Sequence, residues 1–349
     1  MRKYKRLIKE TSALFCFLFI GAILIIYRTS VSDGIKNGLA ISGEILIPSL
    51  FPFLVFSVLS SQWGFSDRVS RIFSFVTEKI FRLPFNCFSV ILFGFIGGYP
   101  VGMRLCRELY EEKSVTVTDC RHLMAFCVNA GPSFIVTAVG EGILGSRKAG
   151  FVLLSALTLS SLVTGVVYGI FKERCSVDKI SVSDKKDFSE TLIYSVSSAT
   201  ESILSICAWV LLFSAFISVI DVTGINKKLK LVIYSLAEVT TGIKSAAQLG
   251  GLPYVAFCMS FGSLSIMFQL LPSIKKCGIK VKSYLFFRIV NSAFSYFFVK
   301  LILCFVDISG EVFSYTAEIF SFNAPASAAL LIMCALFVFQ LRREKSSGF

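Results

Sequence analysis

Asn129, Gly131 and Pro132 form a helix-breaking cluster inside the apolar run AFCVNAGPSF, residues 125–134. Pro132 lacks a backbone donor and clashes with the preceding helical turn, and Gly131 permits an unwound backbone. Irregular backbone at membrane depth is tolerated only where it is buried in protein or lines a cavity. The cluster therefore predicts either a kinked structural helix or a binding site for something other than lipid.

A second broken stretch, GFIGGYPVGM, ends the apolar segment 85–103. Its glycines and Pro100 interrupt a helix in the second half of the segment. Basic residues lie on both flanks, at Arg82 and Arg104. Basic flanks mark the cytoplasmic side of a membrane segment, so this pattern predicts a segment that re-enters the membrane and does not cross it.

The composition indicates the class of protein in which these breaks lie. The chain has 349 residues, of which 55% are hydrophobic and 16% charged, and its mean hydropathy is +0.75. Soluble domains carry about 25% charged residues. The formal net charge of +13 indicates basic cytoplasmic loops and does not indicate nucleic-acid binding. The sequence predicts an all-α polytopic membrane protein.

Hydropathy and loop charge predict about eight transmembrane helices plus two re-entrant or broken segments, with both termini cytoplasmic. The predicted domains are residues 1–44, an N-terminal span with an interfacial segment; 45–171, a first repeat; 172–190, a cytoplasmic linker; 191–306, a second repeat; and 307–349, a C-terminal span with a basic tail.

The two predicted repeats share short motifs. The tripeptide AFC at residues 125–127 recurs at residues 256–258. This alignment pairs Asn129 with Ser260 and Gly131 with Gly262. A separate upstream match pairs Gly102 with Gly242 and Arg104 with Lys244. Loop charges give the halves opposite orientations. Inverted repeats with broken helices near the bilayer midplane are typical of secondary transporters.

Other polar residues give weaker indications. Arg288 lies near a predicted span end, which favours a side chain that extends to the membrane surface. The eleven cysteines have no paired spacing, so they indicate neither a metal site nor a disulfide framework. The sequence contains no Walker motif and no cluster of catalytic type. We therefore predict no enzyme activity, no catalytic residues, no metal and no cofactor.

The motifs GGYPVGMRL and AFCVNAGPSFI together resemble those of the bacterial sporulation integral membrane proteins of the YlbJ type, which contain nucleoside-recognition "gate" domains. The similarity covers residues 45–306. It implies a multi-pass protein of the bacterial cell membrane, including the outer forespore membrane during sporulation. It also implies a role in moving dipicolinic acid into the spore. The gate domain is in turn similar to parts of concentrative nucleoside transporters.

These implications give three hypotheses: a secondary permease for dipicolinate, a nucleoside or other small-solute carrier, and a non-transporting protein of the spore envelope. A flat dianion requires cations or helix N-termini, which makes Arg104 the expected carboxylate partner and Lys244 the second. Each could instead be an interfacial anchor. Asn129 and Ser260 could bind solute or only bond neighbouring helices. Tyr99 could stack on an aromatic ring or lie at the membrane interface.

The full predicted substrate-binding set is Gly98, Tyr99, Gly102, Arg104, Asn129, Gly131, Pro132, Gly242, Lys244, Ser260 and Gly262. The expected partners are the lipid bilayer and a small anionic solute, without nucleic acid. A homo-oligomer is left open.

Overall fold

The structure is a computed structural model that describes residues 2–62, 65–172 and 188–307. Within these ranges the secondary structure is helical, without strands. Most of the predicted linker 172–190 and the predicted C-terminal span at residues 324–341 lie outside the described residues.

The described part of the first half, residues 2–62 and 65–172, begins with three helices. They are α1 (Arg2–Ile26), α2 (Arg28–Ile41) and α3 (Ile47–Gln62), the last two joined by a π-helical turn, Ser42–Leu46. The elements that follow are α4 (Phe65–Ile72), a π-helical turn Val76–Ile80, α5 (Cys87–Gly97), α6 (Tyr99–Glu111), α7 (Val117–Phe126), a π-helix Phe134–Ile143 and α8 (Arg147–Phe171).

The described part of the second half has fewer and longer helices. They are α9 (Phe188–Asp221), α10 (Lys227–Ala237), α11 (Val239–Phe261), α12 (Ser263–Lys276) and α13 (Val281–Leu303). Helix α11 has non-helical backbone at Gly250 and Gly251, so it consists of two helical pieces joined by a kink.

Five helical stretches among the described residues are long and apolar enough to cross a membrane: Arg28–Gln62, Arg147–Phe171, Phe188–Asp221, Val239–Lys276 and Val281–Leu303. Shorter apolar helices accompany them, including Cys87–Gly97 and Phe134–Ile143. These findings confirm an all-α polytopic membrane protein. The number of eight full spans stays a prediction.

Helix α2, predicted as an interfacial segment, continues into the next span and packs against α9. A Cβ added to Gly34 would lie 2.5 Å from the carbonyl oxygen of Ser214, and one at Gly38 would lie 3.2 Å from Cα of Leu211. Only glycine allows backbones to approach so closely. These two glycines therefore fix α2 on α9, and the depth of α2 in the membrane stays a prediction.

The chain breaks where the sequence places glycine and proline. Gly98 has φ 80° and separates α5 from α6. Residues 127–131 leave helical geometry between α7 and the π-helix. Gly262 has φ 84° and separates α11 from α12. Positive φ is readily populated only by glycine, so local backbone chemistry sets these points.

The two halves place their elements in the same order. Helices α5, α6, α7, the π-helix Phe134–Ile143 and α8 correspond to α10, the two pieces of α11, α12 and α13. The contacts between halves are reciprocal: α6 packs on α12, and α11 packs on the π-helix Phe134–Ile143. Likewise α7 packs on α13, and α8 packs on α11. Such exchange is typical of elements related by a two-fold axis.

Candidate functional site

A cavity lies where the breaks of the two halves meet. We call it the central cavity. Its wall includes the starts of two helices, Gly98–Pro100 before and within α6 and Glu238–Thr240 before and within α11. Residues Ala130 and Gly131 of the unwound segment also line it. Helix N-termini from both halves therefore face one space.

The rest of the wall is mainly apolar and aromatic. Tyr99, Phe134 and Trp209 supply aromatic rings. Aliphatic side chains from α3 and α9 complete the lining, namely Leu50, Leu54, Ile206 and Val210, together with Leu46 of the preceding π-helical turn. Pockets with walls of this kind bind ligands through apolar contact and fix their orientation with few polar groups.

At the start of α6, backbone from both breaks of the first half meets. A Cβ added to Gly98 would lie 3.0 Å from the backbone nitrogen of Gly131, and one at Gly131 would lie 2.9 Å from the carbonyl oxygen of Ile96. No side chain caps the first turn of α6. The N-terminal dipole of α6, which favours negative charge, is therefore not capped by a side chain of the described residues.

The start of α11 differs because Glu238 caps it. The Glu238 side chain, 1% exposed, accepts hydrogen bonds from the backbone nitrogens of Thr240 at 2.9 Å and Thr241 at 2.8 Å. It also accepts one from Oγ1 of Thr240 at 2.5 Å. A carboxylate at a helix N-terminus satisfies donors that lack intrahelical partners. Glu238 therefore occupies this anion-favouring position from within the chain.

Arg288 of α13 lies between the two breaks and is 1% exposed. Its Nη1 donates to the carbonyl oxygen of Val128 at 2.5 Å and to Oδ1 of Asn129 at 3.2 Å. Its other nitrogens donate to the carbonyl oxygens of Ser260 and Phe261, at the end of α11. The expectation that Arg288 extends to the membrane surface is wrong, because its side chain points into the packed centre of the protein.

Among the described residues, the charge of Arg288 is met by neutral hydrogen-bond acceptors. No carboxylate in the part of the chain that the structure describes pairs with Arg288, and its acceptors are carbonyl and amide oxygens. Its Cζ lies 5.7 Å from the centroid of the Tyr99 ring, and that ring forms part of the cavity wall. The Tyr99 hydroxyl donates to the carbonyl oxygen of Met259, so Tyr99 also joins the two halves.

A buried polar network continues from Arg288 into the helix pair α8 and α13. Nδ2 of Asn291 donates to Oδ1 of Asn129 at 3.3 Å and to Oγ of Ser161 at 3.2 Å. Oγ of Ser160 donates to the backbone oxygen of Asn291 at 2.7 Å. The network satisfies polar groups that would be costly if left unpaired, and it fixes the unwound segment 127–131 relative to both helices.

Of the predicted site residues, Gly98, Tyr99 and Gly131 line the central cavity. Asn129 and Pro132 instead line an apolar groove beside α5 and α8. The break at Gly262 lies behind the wall, since a Cβ added there would be 3.5 Å from both Nη2 of Arg288 and Cε1 of Tyr99.

The remaining predicted residues are not part of the cavity lining. Ser260 presents its carbonyl oxygen to Arg288, and its buried hydroxyl has no partner among the described residues. Gly102 and Gly242 serve close packing: a Cβ would lie 2.5 Å from the carbonyl oxygen of Cys127 and 2.8 Å from that of Tyr234, respectively.

Neither of the two predicted carboxylate partners faces the cavity. Nε of Arg104 pairs with Glu108 at 3.3 Å and its Nη1 donates to Oγ of Ser198. Lys244 is exposed on α11. Both follow the helix breaks by more than one helical turn, which carries their side chains away from the helix starts.

Sequence reasoning missed Glu238 as a site residue and misplaced Arg288. Glu238 precedes Gly242 by four residues, as Gly98 precedes Gly102. Extending the match between Gly102 and Gly242 by four residues toward the N-terminus pairs Gly98 with Glu238, and this would have indicated Glu238 as a site residue. Arg288 is an arginine within an apolar span, and such residues are by default candidates for function.

Comparison with known proteins gives one informative similarity. An alignment of 329 positions, which covers 82% of the chain, gives 24% identity to the sporulation integral membrane protein YlbJ of Bacillus subtilis (strain 168), of which it covers 81%. No family model matches the chain, and no solved structure matches it. The similarity to YlbJ confirms the resemblance that the GGYP and AFCVNAGP motifs indicate: the chain is similar to the sporulation integral membrane proteins of the YlbJ type.

Proposed function

We propose that the protein is a secondary permease that moves a small, flat, anionic aromatic solute across a membrane during spore formation, with dipicolinic acid as the expected solute. The observation that carries this proposal is the central cavity, which the starts of α6 and α11 share. In secondary transporters, discontinuous helices from two repeats form the substrate site, and their N-termini point at anionic groups of the substrate.

The lining of the cavity supports the aromatic part of the solute. The rings of Tyr99, Phe134 and Trp209 lie in one wall region with aliphatic neighbours. A planar pyridine ring can stack on such rings, and offset or edge contacts between aromatic groups stabilise binding by roughly 0.5–1.5 kcal/mol.

The distribution of charge supports the anionic part. The start of α6 carries no capping side chain, and Arg288 carries a buried charge without a paired carboxylate among the described residues. Glu238 is negative, but its oxygens accept the free backbone donors of α11. The excess of positive potential therefore lies on the side of the cavity that α6 and Tyr99 form.

Uptake by the purified full-length chain in proteoliposomes tests the proposal. We expect saturable uptake of labelled dipicolinate that protein-free liposomes do not show. Leu50→Trp fills part of the central cavity and should abolish uptake. Phe53→Trp is the matched control, because Phe53 lies on the same helix and is 43% exposed away from the cavity. Equal uptake by the two variants would place the solute elsewhere.

A nucleoside carrier is the second candidate, because the cavity also presents Glu238 and Gln269 beside its aromatic rings. A carboxylate and an amide can hydrogen-bond ribose hydroxyls. Labelled uridine in the same assay separates the candidates, and uptake of uridine without dipicolinate would replace the first proposal. Absence of uptake for both solutes would favour a structural protein of the spore envelope.

A further inference from the structure

We infer that Arg288 makes the central cavity select anions over neutral molecules of the same shape. This inference rests on the proposed function and assigns its charge selectivity to a residue that does not itself line the cavity. Arg288 is here a specificity-determining residue that acts from behind the wall through Tyr99.

The guanidinium of Arg288 is buried. Arg288 is among the largest fully buried side chains of the described structure. Its hydrogen bonds go to the carbonyl oxygens of Val128, Ser260 and Phe261 and to Oδ1 of Asn129. These dipoles satisfy the N–H donors but carry no net charge. An arginine side chain stays charged in proteins, so a full positive charge remains at the junction of the breaks.

The positive charge of Arg288 lies on the far side of the Tyr99 ring from the cavity. The Tyr99 ring separates the two, with Cζ of Arg288 5.7 Å from the ring centroid. The Arg288 side chain is 1% exposed, and electrostatic interactions are stronger in the protein interior than in water. A carboxylate resting against the cavity face of Tyr99 would therefore interact favourably with Arg288 without contacting it.

The other charged residues described near the breaks are a helix cap, a paired cation and an exposed cation. Glu238 caps the start of α11, and Arg104 pairs with Glu108. Lys244 is exposed. Arg288 is thus the cation that is both buried and close to the cavity wall without a carboxylate partner in the described structure. A solute anion would supply the missing opposite charge, which a neutral isostere cannot do.

The test measures the affinity of the purified full-length chain for two matched probes, dipicolinate and its neutral isostere pyridine-2,6-dicarboxamide. We expect the unmodified protein to bind the dianion more tightly. Arg288→Gln should reduce this preference roughly ten-fold or more, chiefly by weakening dipicolinate. Arg288→Lys, which keeps the charge, should retain most of the preference. Lys300→Gln, which removes an exposed cation from the same helix, is the matched control and should change neither affinity.

The outcomes are distinguishable. A folded Arg288→Gln variant that keeps the full preference overturns this inference and leaves the proposed function standing. Absence of binding of either probe by the unmodified protein overturns both. If Arg288→Gln does not fold, the decision passes to Arg288→Lys: retained preference supports the inference, and loss of preference in a folded lysine variant overturns it.

Discussion

The starts of α6 and α11 occupy equivalent positions in the two halves but are filled differently. Each lies four residues before a closely packed glycine, Gly102 or Gly242. At α6 the position belongs to Gly98, which has no side chain to offer and turns the backbone at φ 80°. At α11 it belongs to Glu238, whose carboxylate accepts hydrogen bonds from the first turn. The repeat therefore conserves the backbone break and varies its charge.

The second pair of breaks differs in length. The first half unwinds over residues 127–131, and the second half turns at a single residue, Gly262. Arg288 bonds carbonyl oxygens next to both. The longer unwound segment leaves more backbone oxygens without helical partners. Arg288 donates to the carbonyl oxygen of Val128 and Nδ2 of Asn129 to that of Phe126, while Asn291 donates to the side-chain oxygen of Asn129. Because the two breaks differ in length, the buried polar network of Asn129, Asn291 and Arg288 lies beside the break of the first half.

Exchanging the glycine of the first break tests how far α6 depends on its backbone geometry. Gly98→Val should destabilise the protein by about 1–3 kcal/mol or more, because φ 80° with ψ −166° is a region that only glycine populates readily. The new Cβ would also press on Gly131. The thermal unfolding midpoint in detergent measures the effect. Gly43→Ala is the control, since nothing lies within 4 Å of its added Cβ. If Gly98→Val were as stable as the parent protein, residue 98 would not have the glycine-specific backbone conformation described here.

Removing the acid of the second break makes α11 resemble α6. Glu238→Ala leaves the backbone nitrogens of Thr240 and Thr241 without their acceptor, which should cost about 0.5–2 kcal/mol. Loss of the negative charge should also tighten dipicolinate binding if the proposed function holds. Glu238→Gln keeps an acceptor oxygen and should lose less stability. Unfolding midpoints of the two variants check the order, and an alanine variant as stable as the parent would show that the cap has no energetic role.

Replacing the cations that follow the breaks should change stability less than the substitutions at Gly98 and Glu238, with the larger loss at Arg104 in the first half. Arg104 bonds Ser198 and pairs with Glu108, so Arg104→Gln should destabilise the protein by about 1 kcal/mol. Lys244 is exposed, and Lys244→Gln should change stability by no more than about 0.5 kcal/mol. Unfolding midpoints measured side by side suffice. A larger effect at Lys244 would indicate that its position in the second half is not the one described.

Local backbone chemistry allowed the breaks to be predicted from the sequence. Gly98, Pro132 and Gly262 act on their own turns, so their effect does not depend on distant residues. The recurring AFC motif allowed the halves to be aligned. The roles of Arg104 and Lys244 were harder to predict, because a helix rotates 100° per residue and a short error in the position of the break moves a side chain to another face.

The sequence by itself determined the membrane class, the helical architecture and the points where helices break, because hydropathy and backbone restrictions are local properties. Only the tertiary structure decided that Arg288 lies buried between the breaks and that Glu238 faces the same cavity as Tyr99. Hydropathy cannot distinguish a helix face that meets lipid from one that meets protein, since both are apolar. The packing of α13 against α7 and α11 turned Arg288 from a candidate surface anchor into the buried charge at the centre of the protein.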